Sequence, residues 1–374
     1  MKVVIVIPTY NELGNIKKII PALSQEFVRM PKHKFNLLVV DGNSPDGTAD
    51  EVKKLSKKFP FVNLLVEKKK AGLGAAYVYA FRKAMKTFKP DVIVEMDSDF
   101  QHNPKDVKYL VEAIQDGYDY AIGSRFTKGG SIPKEWAIHR KFLSIGGNLF
   151  SKIVLGIFNV NDFTSGFKAS RVKGFVDKLD LDNILSSGFA YKVDLLFKMH
   201  RLGAKIKEVP IAFGVRDRGD SKMESNNSID TLKVVLMLQV NENKRFFKFV
   251  VVGFIGLFID TGLFNLLRLF SIITSSFSAF ISGSLAMLTT FLLNNNWSFG
   301  DRKLSHKKDK VFGIVVYFVS SYIPILVRTK LVQMSVSFFG DRFLTTNVAF
   351  FIGIVFGLVW NFTVYSKIIW KEKK

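Results

Sequence analysis

The apolar pattern of this chain changes character near residue 243, and that break limits the fold more than any other feature. Before it, apolar runs are short and interrupted by charge. Beyond Phe246 they lengthen, and charge retreats into clusters. Four long apolar stretches follow, at 246–267, 275–297, 311–327 and 345–365. A helix crossing a bilayer needs about 20 mostly apolar residues. The second and fourth stretches meet this without a charge. The first carries Asp260 and, near its start, Lys248; the third is short and contains Pro324. Four such helices in one soluble domain would leave too little polar surface to keep it in water. The sequence therefore predicts an all-α domain of four transmembrane helices over 244–374. Asp260 is a candidate functional carboxylate inside a span, with Arg268 or Arg328 as its expected neutralising partner.

Charge fixes the expected orientation. Lys and Arg number 54 against 32 Asp and Glu, a formal +22 that calls for anionic company. Nucleic acid is not the expected partner, since the chain has no zinc-finger spacing, RNP string or basic zipper. Basic residues beside a lipid bilayer account for most of the surplus, and phosphate binding for the rest. The segment 301–310 (DRKLSHKKDK) holds five Lys or Arg, and both 244–248 (KRFFK) and the tail 367–374 (KIIWKEKK) are basic. The loop around 271–276 is almost chargeless. By the positive-inside rule both chain ends and the middle loop are cytoplasmic. A loop holding Arg328, Lys330 and Arg342 is a mild exception. The N-terminal apolar run, 3–7, is too short for a signal sequence and stops at Pro8, so the first domain is expected to stay cytoplasmic. The chain has no cysteine, which excludes disulfides, thiolate metal sites and thiol nucleophiles.

The first 225 residues alternate between two periods. Strands are predicted at 2–8, 35–41, 61–67, 91–97, 119–125 and 209–213, and helices at 13–27, 46–59, 72–86 and 107–115. Continuous Val, Ile and Leu strands alternating with helices predict an α/β domain whose mostly parallel sheet is covered on both faces. Ligands then sit at the carboxyl ends of the strands. The segment 214–228 is polar and reads as a loop. An amphipathic helix at 229–240, with Leu232, Val235, Leu236 and Gln239 at helical spacing, predicts a linker over 226–243 that lies between the two domains or on the membrane surface.

The polar clusters fall at those strand ends. In 97–101 (DSDFQ), Asp97 and Asp99 are spaced to face one divalent ion, and Gln101 adds a carbonyl oxygen. An all-oxygen set suits Mg²⁺ or Mn²⁺; the same string also fits a solvated turn. PTYNE at 8–12 and DGNSPDGT at 41–48 fit either a nucleoside site, with Asp41 accepting from a ribose or base, or turns that cap the next helix. KAGLGAA at 70–76 lacks the spacing of a phosphate loop and reads as a tight helix start. Arg125, Arg140, Lys141 and Ser144 form one basic cluster, and Arg216, Arg218 and Lys222 another; both fit phosphate contacts or a headgroup-facing surface. The five histidines show no metal spacing, and His102 and His139 read as surface or loop residues.

Taken in order, PTYNE, DGNSPDGT, KAGLGAA, DSDFQHNP, GSRF, NDFTSGFKASR and RDRGDSK resemble the family 2 glycosyltransferases, and within them the dolichol-phosphate mannosyltransferases, over about the first 225 residues. The membrane half resembles the GtrA-like four-span domain. The resemblance implies a nucleotide-sugar-binding domain of the GT-A type and a set of roles. Pro8, Tyr10, Glu12, Val39 and Asp41 would hold the nucleoside. Asp97, Asp99 and Gln101 would hold Mg²⁺ or Mn²⁺, with Ser98 touching the donor through its backbone. Arg216 and Lys222 would grip the donor diphosphate, with Lys192 and Gly188 nearby. Arg125, Arg140 and Ser144 would receive an acceptor phosphate, and Asp99 and Arg125 would be the catalytic pair. The implied reaction is inverting transfer of mannose from GDP-mannose to dolichyl (polyprenyl) phosphate at the bilayer. Two alternatives stay open: a UDP-glucose donor, and a lipid-linked sugar transporter in which the first half is regulatory. No tryptophan lies in the Q-x-x-R-W string of processive polysaccharide synthases.

Overall fold

The computed structural model describes residues 1–215, 226–269, 275–340 and 342–371. The chain divides into two units, Met1–Gln239 and Val240–Lys374. In the first, β1 (Lys2–Thr9), β2 (Lys34–Asp41), β3 (Val62–Val66), β4 (Val92–Glu95), β5 (Tyr120–Ser124), β6 (Lys168–Arg171) and β7 (Ile206–Pro210) form one sheet. Helices α1 (Leu13–Val28), α2 (Thr48–Lys58), α3 (Leu73–Phe88), α4 (Val107–Gln115), α5 (Ile138–Leu155) and α6 (Tyr191–Arg201) lie between the strands in sequence. The strand order is β3-β2-β1-β4-β6-β5-β7. All neighbours are parallel except β6, which runs antiparallel to β4 and β5.

Strand periodicity explains the two cores. Val4, Val6, Leu38, Val40 and Ile93 bury one face of the sheet. Their sequence neighbours Val3, Ile5, Leu37, Val39 and Val94 bury the other. Both faces are covered, as continuous apolar strands require. The β1–β2 register sets Thr9 beside Asp41. The last strand lies earlier than 209–213, ending at Pro210, and only a single bridge pairs Ala212 with Ser131.

Strand β6 is missing from the sequence reading, for a clear reason. Its residues KASR carry no apolar run, and its first residue, Lys168, is fully buried. Pairing opposite Glu95 of β4 lets that lysine occupy the sheet interior.

Glycines in 70–76 serve packing. Gly72 has φ +112°, a backbone conformation that only glycine adopts at little cost. The amides of Gly74 and Ala75 donate to the Ser187 carbonyl at 2.8 and 3.2 Å. A Cβ on Gly74 would lie 2.7 Å from both the Ser186 oxygen and Tyr191 Cβ. The segment is thus the tight helix start that its spacing suggests.

Helix α7 (Asn226–Glu242) spans the expected 229–240 helix, but with a different buried face. Thr231, Val234, Val235 and Leu238 are buried, the three apolar ones in the first unit's core, whereas Leu232 and Leu236 are exposed.

The second unit comprises α8 (Lys244–Leu269), α9 (Ser275–Leu293), α10 (Lys307–Phe339) and α11 (Phe343–Val364). Among the described residues, α8, α10 and a segment Phe343–Ile369 containing α11 are long and apolar enough to cross a membrane. Helix α10 is much longer than 311–327 and takes Arg328 and Lys330 into its length instead of leaving them in a loop. Pro324 does not end it. Membrane helices tolerate proline where a neighbour fits around it, and Gly357 of α11 lies so close that a Cβ there would be 3.0 Å from Pro324 Cβ. Asp260 accepts a hydrogen bond from Ser282 Oγ of α9 at 2.6 Å, a partner the sequence reading does not contain.

Replacing Gly74 with valine should destabilise the first unit by about 1–3 kcal/mol, because the backbone at 186–188 cannot recede as a flexible side chain would. Denaturant unfolding of wild type and variant measures it; an unchanged midpoint would contradict the packing account.

Candidate active site

Two loops at the carboxyl ends of β1 and β2 are stitched together by backbone amides. The Asn11 amide donates to Ser44 Oγ (3.0 Å), Glu12 to Thr48 Oγ1 (3.0 Å) and Leu13 to Asp46 Oδ2 (3.2 Å). Asn11 has φ 57°, a left-handed conformation that asparagine tolerates. Asp41 is fully buried and accepts from Thr9 Oγ1 (2.9 Å), Ser44 Oγ (2.6 Å) and the Ser44 amide (2.8 Å). It therefore organises this corner first. Tyr10 lies beside Gly42, with the Lys70 ammonium 4.3 Å from its ring centroid. Glu67 closes the same corner, and burial together with the Asp41 charge pushes its carboxyl above the usual range. Pro8 pairs with Val40 one residue before the end of β1, and Glu12 accepts from Asn15 Nδ2. Val39, in β2, has a side chain fully buried in the core.

The loop after β4 carries the two paired aspartates. Asp97 keeps about a third of its side chain exposed (30%), whereas Ser98, Asp99 and Gln101 are buried. Asp99 Oδ1 accepts from the Gln101 amide at 3.2 Å, and Phe100 between them has φ 60°. Gln101 Nε2 donates to the Gly214 carbonyl, which leaves the side-chain oxygen as the end not engaged by that bond. The Gly214 amide returns a bond to the Gln101 carbonyl at 2.9 Å. Among the described residues, no three His, Asp or Glu cluster as a complete metal cage. Two carboxylates and an amide oxygen instead match a hard cation that takes its remaining ligands from a phosphate and water.

His102 belongs to this site and not to the surface. It is 1% exposed, stacked on Phe167 at 5.0 Å and edge-on to Phe213 at 5.3 Å. Burial, with the nearby Lys192 charge, pushes it down to about 3, so the ring is neutral. Its Nδ1 accepts from the Asp97 amide at 3.3 Å and so supports the loop from beneath.

A buried charge group lies under the same loop. Lys192 is 3% exposed. A Cβ on Gly166 would lie 2.4 Å from Lys192 Nζ and 3.2 Å from Asp97 Oδ2, so ammonium and carboxylate share the space that this glycine leaves. Lys168 Nζ donates to the Lys192 carbonyl at 2.8 Å, and Tyr191 Oη donates to Glu95. Burial pulls Lys168 down to about 8 and Lys192 below its ordinary value, while Glu95 and Asp97 oppose the shift. Burial pushes Glu95 up against the Lys168 charge. The signals for this group were a glutamate inside the apolar run VIVEM and a lysine in GFKAS.

Arg125 is held rather than displayed. Its Nε and Nη2 form a fork on Asp162 at 2.8 and 2.7 Å, and Nη2 also reaches Thr164 Oγ1 at 2.8 Å. Burial works to raise Asp162, but the charge and hydrogen bonds of Arg125 win and hold it below the usual carboxylate range. Aromatic contacts then link the predicted acceptor residues. The Arg125 guanidinium lies 5.3 Å from the Phe213 ring, Phe213 meets Trp136 at 5.9 Å, and Arg140 lies 4.0 Å over Trp136. Arg140 and Ser144 both lie in α5, whose Ile138, Phe142, Ile145 and Leu149 are more than half exposed. The Gly188 amide donates to Ser186 Oγ in the loop against α3. Arg216 and Lys222 fall outside the described residues.

Similarity to known proteins agrees with this division. The profile described as Glycosyl transferase family 2 matches residues 4–176, and that described as GtrA/DPMS, transmembrane domain matches 248–370. The chain is 31% identical over 373 residues to a dolichol-phosphate mannosyltransferase of Pyrococcus furiosus, covering 99% of both chains. It is 40% identical over 223 residues to an undecaprenyl-phosphate mannosyltransferase of Micrococcus luteus, covering 60% of this chain and 88% of that one. It is 35% identical over 227 residues to a polyprenol monophosphomannose synthase of Mycolicibacterium smegmatis, covering 60% and 82%.

Replacing Arg125 with alanine would leave the Asp162 charge buried and unpaired. A loss of about 3–5 kcal/mol is expected, and adding Asp162→Ala should recover part of it. Denaturant unfolding of both single variants and the double variant tests this; strictly additive losses would refute the pairing.

Proposed function

Because the chain belongs to the family 2 glycosyltransferases and carries a GtrA/DPMS transmembrane domain, we propose that it transfers mannose from GDP-mannose to polyprenyl phosphate with inversion. The observation that carries this reading is the Pyrococcus relative, which matches both units end to end and is named for mannosyl transfer to dolichol phosphate. The strand-end placement of Asp41, Asp97 and Asp99 supports it chemically.

The residues divide the work. Pro8, Tyr10, Glu12 and Asp41 hold the nucleoside. Asp97, Asp99 and Gln101 would hold Mg²⁺ or Mn²⁺, which would neutralise the diphosphate and stabilise it as a leaving group. Lys192 fixes Asp97 by charge from below, and His102 fixes its amide. Arg216 and Lys222 grip the diphosphate. Arg125, braced by Asp162, and Arg140, with Ser144 one turn further along α5, receive the acceptor phosphate.

The acceptor needs no general base. A phosphate monoester has a second pKa of about 6 and is mostly ionised at neutral pH. One of its oxygens forms the new bond to the anomeric carbon while the bond to the GDP oxygen breaks, and a single in-line displacement inverts the centre. Positioning two phosphates with their repulsion screened is the main requirement. The exposed apolar residues of α5 suit a helix lying on a lipid surface. Counting α9 with the three longer helices gives four spans, and the positive-inside rule puts the first unit and both termini in the cytoplasm.

Purified protein incubated with polyprenyl phosphate should transfer label from GDP-mannose and not from UDP-glucose, and chelation should abolish transfer. Asp99→Ala should lower the rate by about 10²–10³-fold without changing the unfolding midpoint. Undiminished transfer in chelator would remove the metal, and transfer from UDP-glucose alone would replace the donor.

A further inference from the structure

One end of the second unit holds a cavity lined by none of the residues assigned above to transfer. It has a volume of about 480 Å³, within the range of small-ligand sites. Arg245, Arg302, Lys367 and Lys371 line it, with Phe246 and Phe362 as apolar lining. The two rings meet edge to face at 5.0 Å. Glu242 also lines it, and Asp301 binds Arg245 through both nitrogens of its fork. Among the described residues, four cations thus stand against these two carboxylates.

Scattered lysines at a membrane surface need no ligand, but this cavity is framed more rigidly than that. Trp370 is fully buried and stacks on Phe299 at 4.6 Å with the rings parallel to 3°. Its Nε1 donates to Asn295 Oδ1 at 2.9 Å, and that oxygen also accepts from the Leu304 amide at 2.8 Å. Arg302 Nη1 donates to the Trp370 carbonyl at 3.2 Å, and only 14% of the arginine side chain is exposed. The turn at Gly300–Arg302 and the tail after α11 are thereby locked together. Locking fixes Arg302 in the wall and carries Lys367 and Lys371 on the same frame. The cavity lies where α8 begins and α11 ends, so its apolar lining belongs to membrane helices while its cations cluster at their basic end.

We propose that this cavity holds the phosphate head of a membrane lipid, with the lipid chain continuing past Phe246 and Phe362 into the bilayer. Fixed guanidinium groups suit phosphate oxygens, and lysines add point charge. Basic pockets between membrane helices on the cytoplasmic side bind anionic headgroups in this way. The inference rests on the membrane unit alone and is independent of the sugar donor.

The test is photo-cross-linking on the full chain in lipid nanodiscs, with polyprenyl phosphate, phosphatidylglycerol or uncharged polyprenol carrying a photoreactive group. Peptide mapping should place adducts of the two phosphate lipids in 242–246 and 362–371. The exposed pair Lys367→Gln and Lys371→Gln should reduce those adducts at least about tenfold, with the unfolding midpoint unchanged. Retention of polyprenyl phosphate against excess phosphatidylglycerol would make the isoprenoid lipid the occupant. Displacement by phosphatidylglycerol would make it a bulk anionic lipid. Equal labelling by polyprenol, equal labelling of the double variant, or displacement by millimolar inorganic phosphate would each overturn the proposal.

Discussion

The site depends on keeping two ammonium groups out of water beneath a loop of carboxylates. Lys168 and Lys192 are almost completely buried. A buried charge is tolerable only when paired and hydrogen-bonded. Glu95 answers Lys168 across the β4–β6 pair, and Asp97 answers Lys192 from above. The charge of Asp97 in the DSDFQ loop therefore acts on a cation buried beneath it. Removing its carboxylate would take away the largest opposing charge on Lys192, so the loop's shape and the interior charge balance are one constraint.

That constraint explains what was legible in the sequence. The α/β alternation, the strand-end polar clusters and α4 at residues 107–115 follow from apolar periodicity, which records burial by apolar contact. Buried charge leaves no such record. Strand β6 is hidden because Lys168 interrupts the pattern that marks a strand, and His102 reads only as a surface or loop residue because its stacking partners, Phe167 and Phe213, are distant in sequence. Arg125 was recognisable as important, but its partner Asp162 was not, since 37 residues separate them.

The membrane unit shows the same division. Length and hydropathy reveal where helices lie, and three of them satisfy the requirement for crossing a bilayer among the described residues. They do not reveal contacts. That α10 passes through Pro324 depends on a glycine in α11, and that Asp260 is satisfied depends on a serine in α9. In both cases the deciding residue is small and unremarkable in its own stretch of sequence.

The single antiparallel strand has a consequence for how such a site is braced. Because β6 runs against its neighbours, the segment before it arrives at the edge where β4 and β5 end. Asp162, Thr164 and Gly166 thus approach Arg125 and Asp97 from the opposite chain direction. That segment is tied to both strand ends at once, whereas the β1 and β2 corner around Asp41 is held by its own hydrogen bonds. One reversed strand thus lets a single short segment brace two neighbouring strand ends, a task that an all-parallel sheet would need two separate loops to perform.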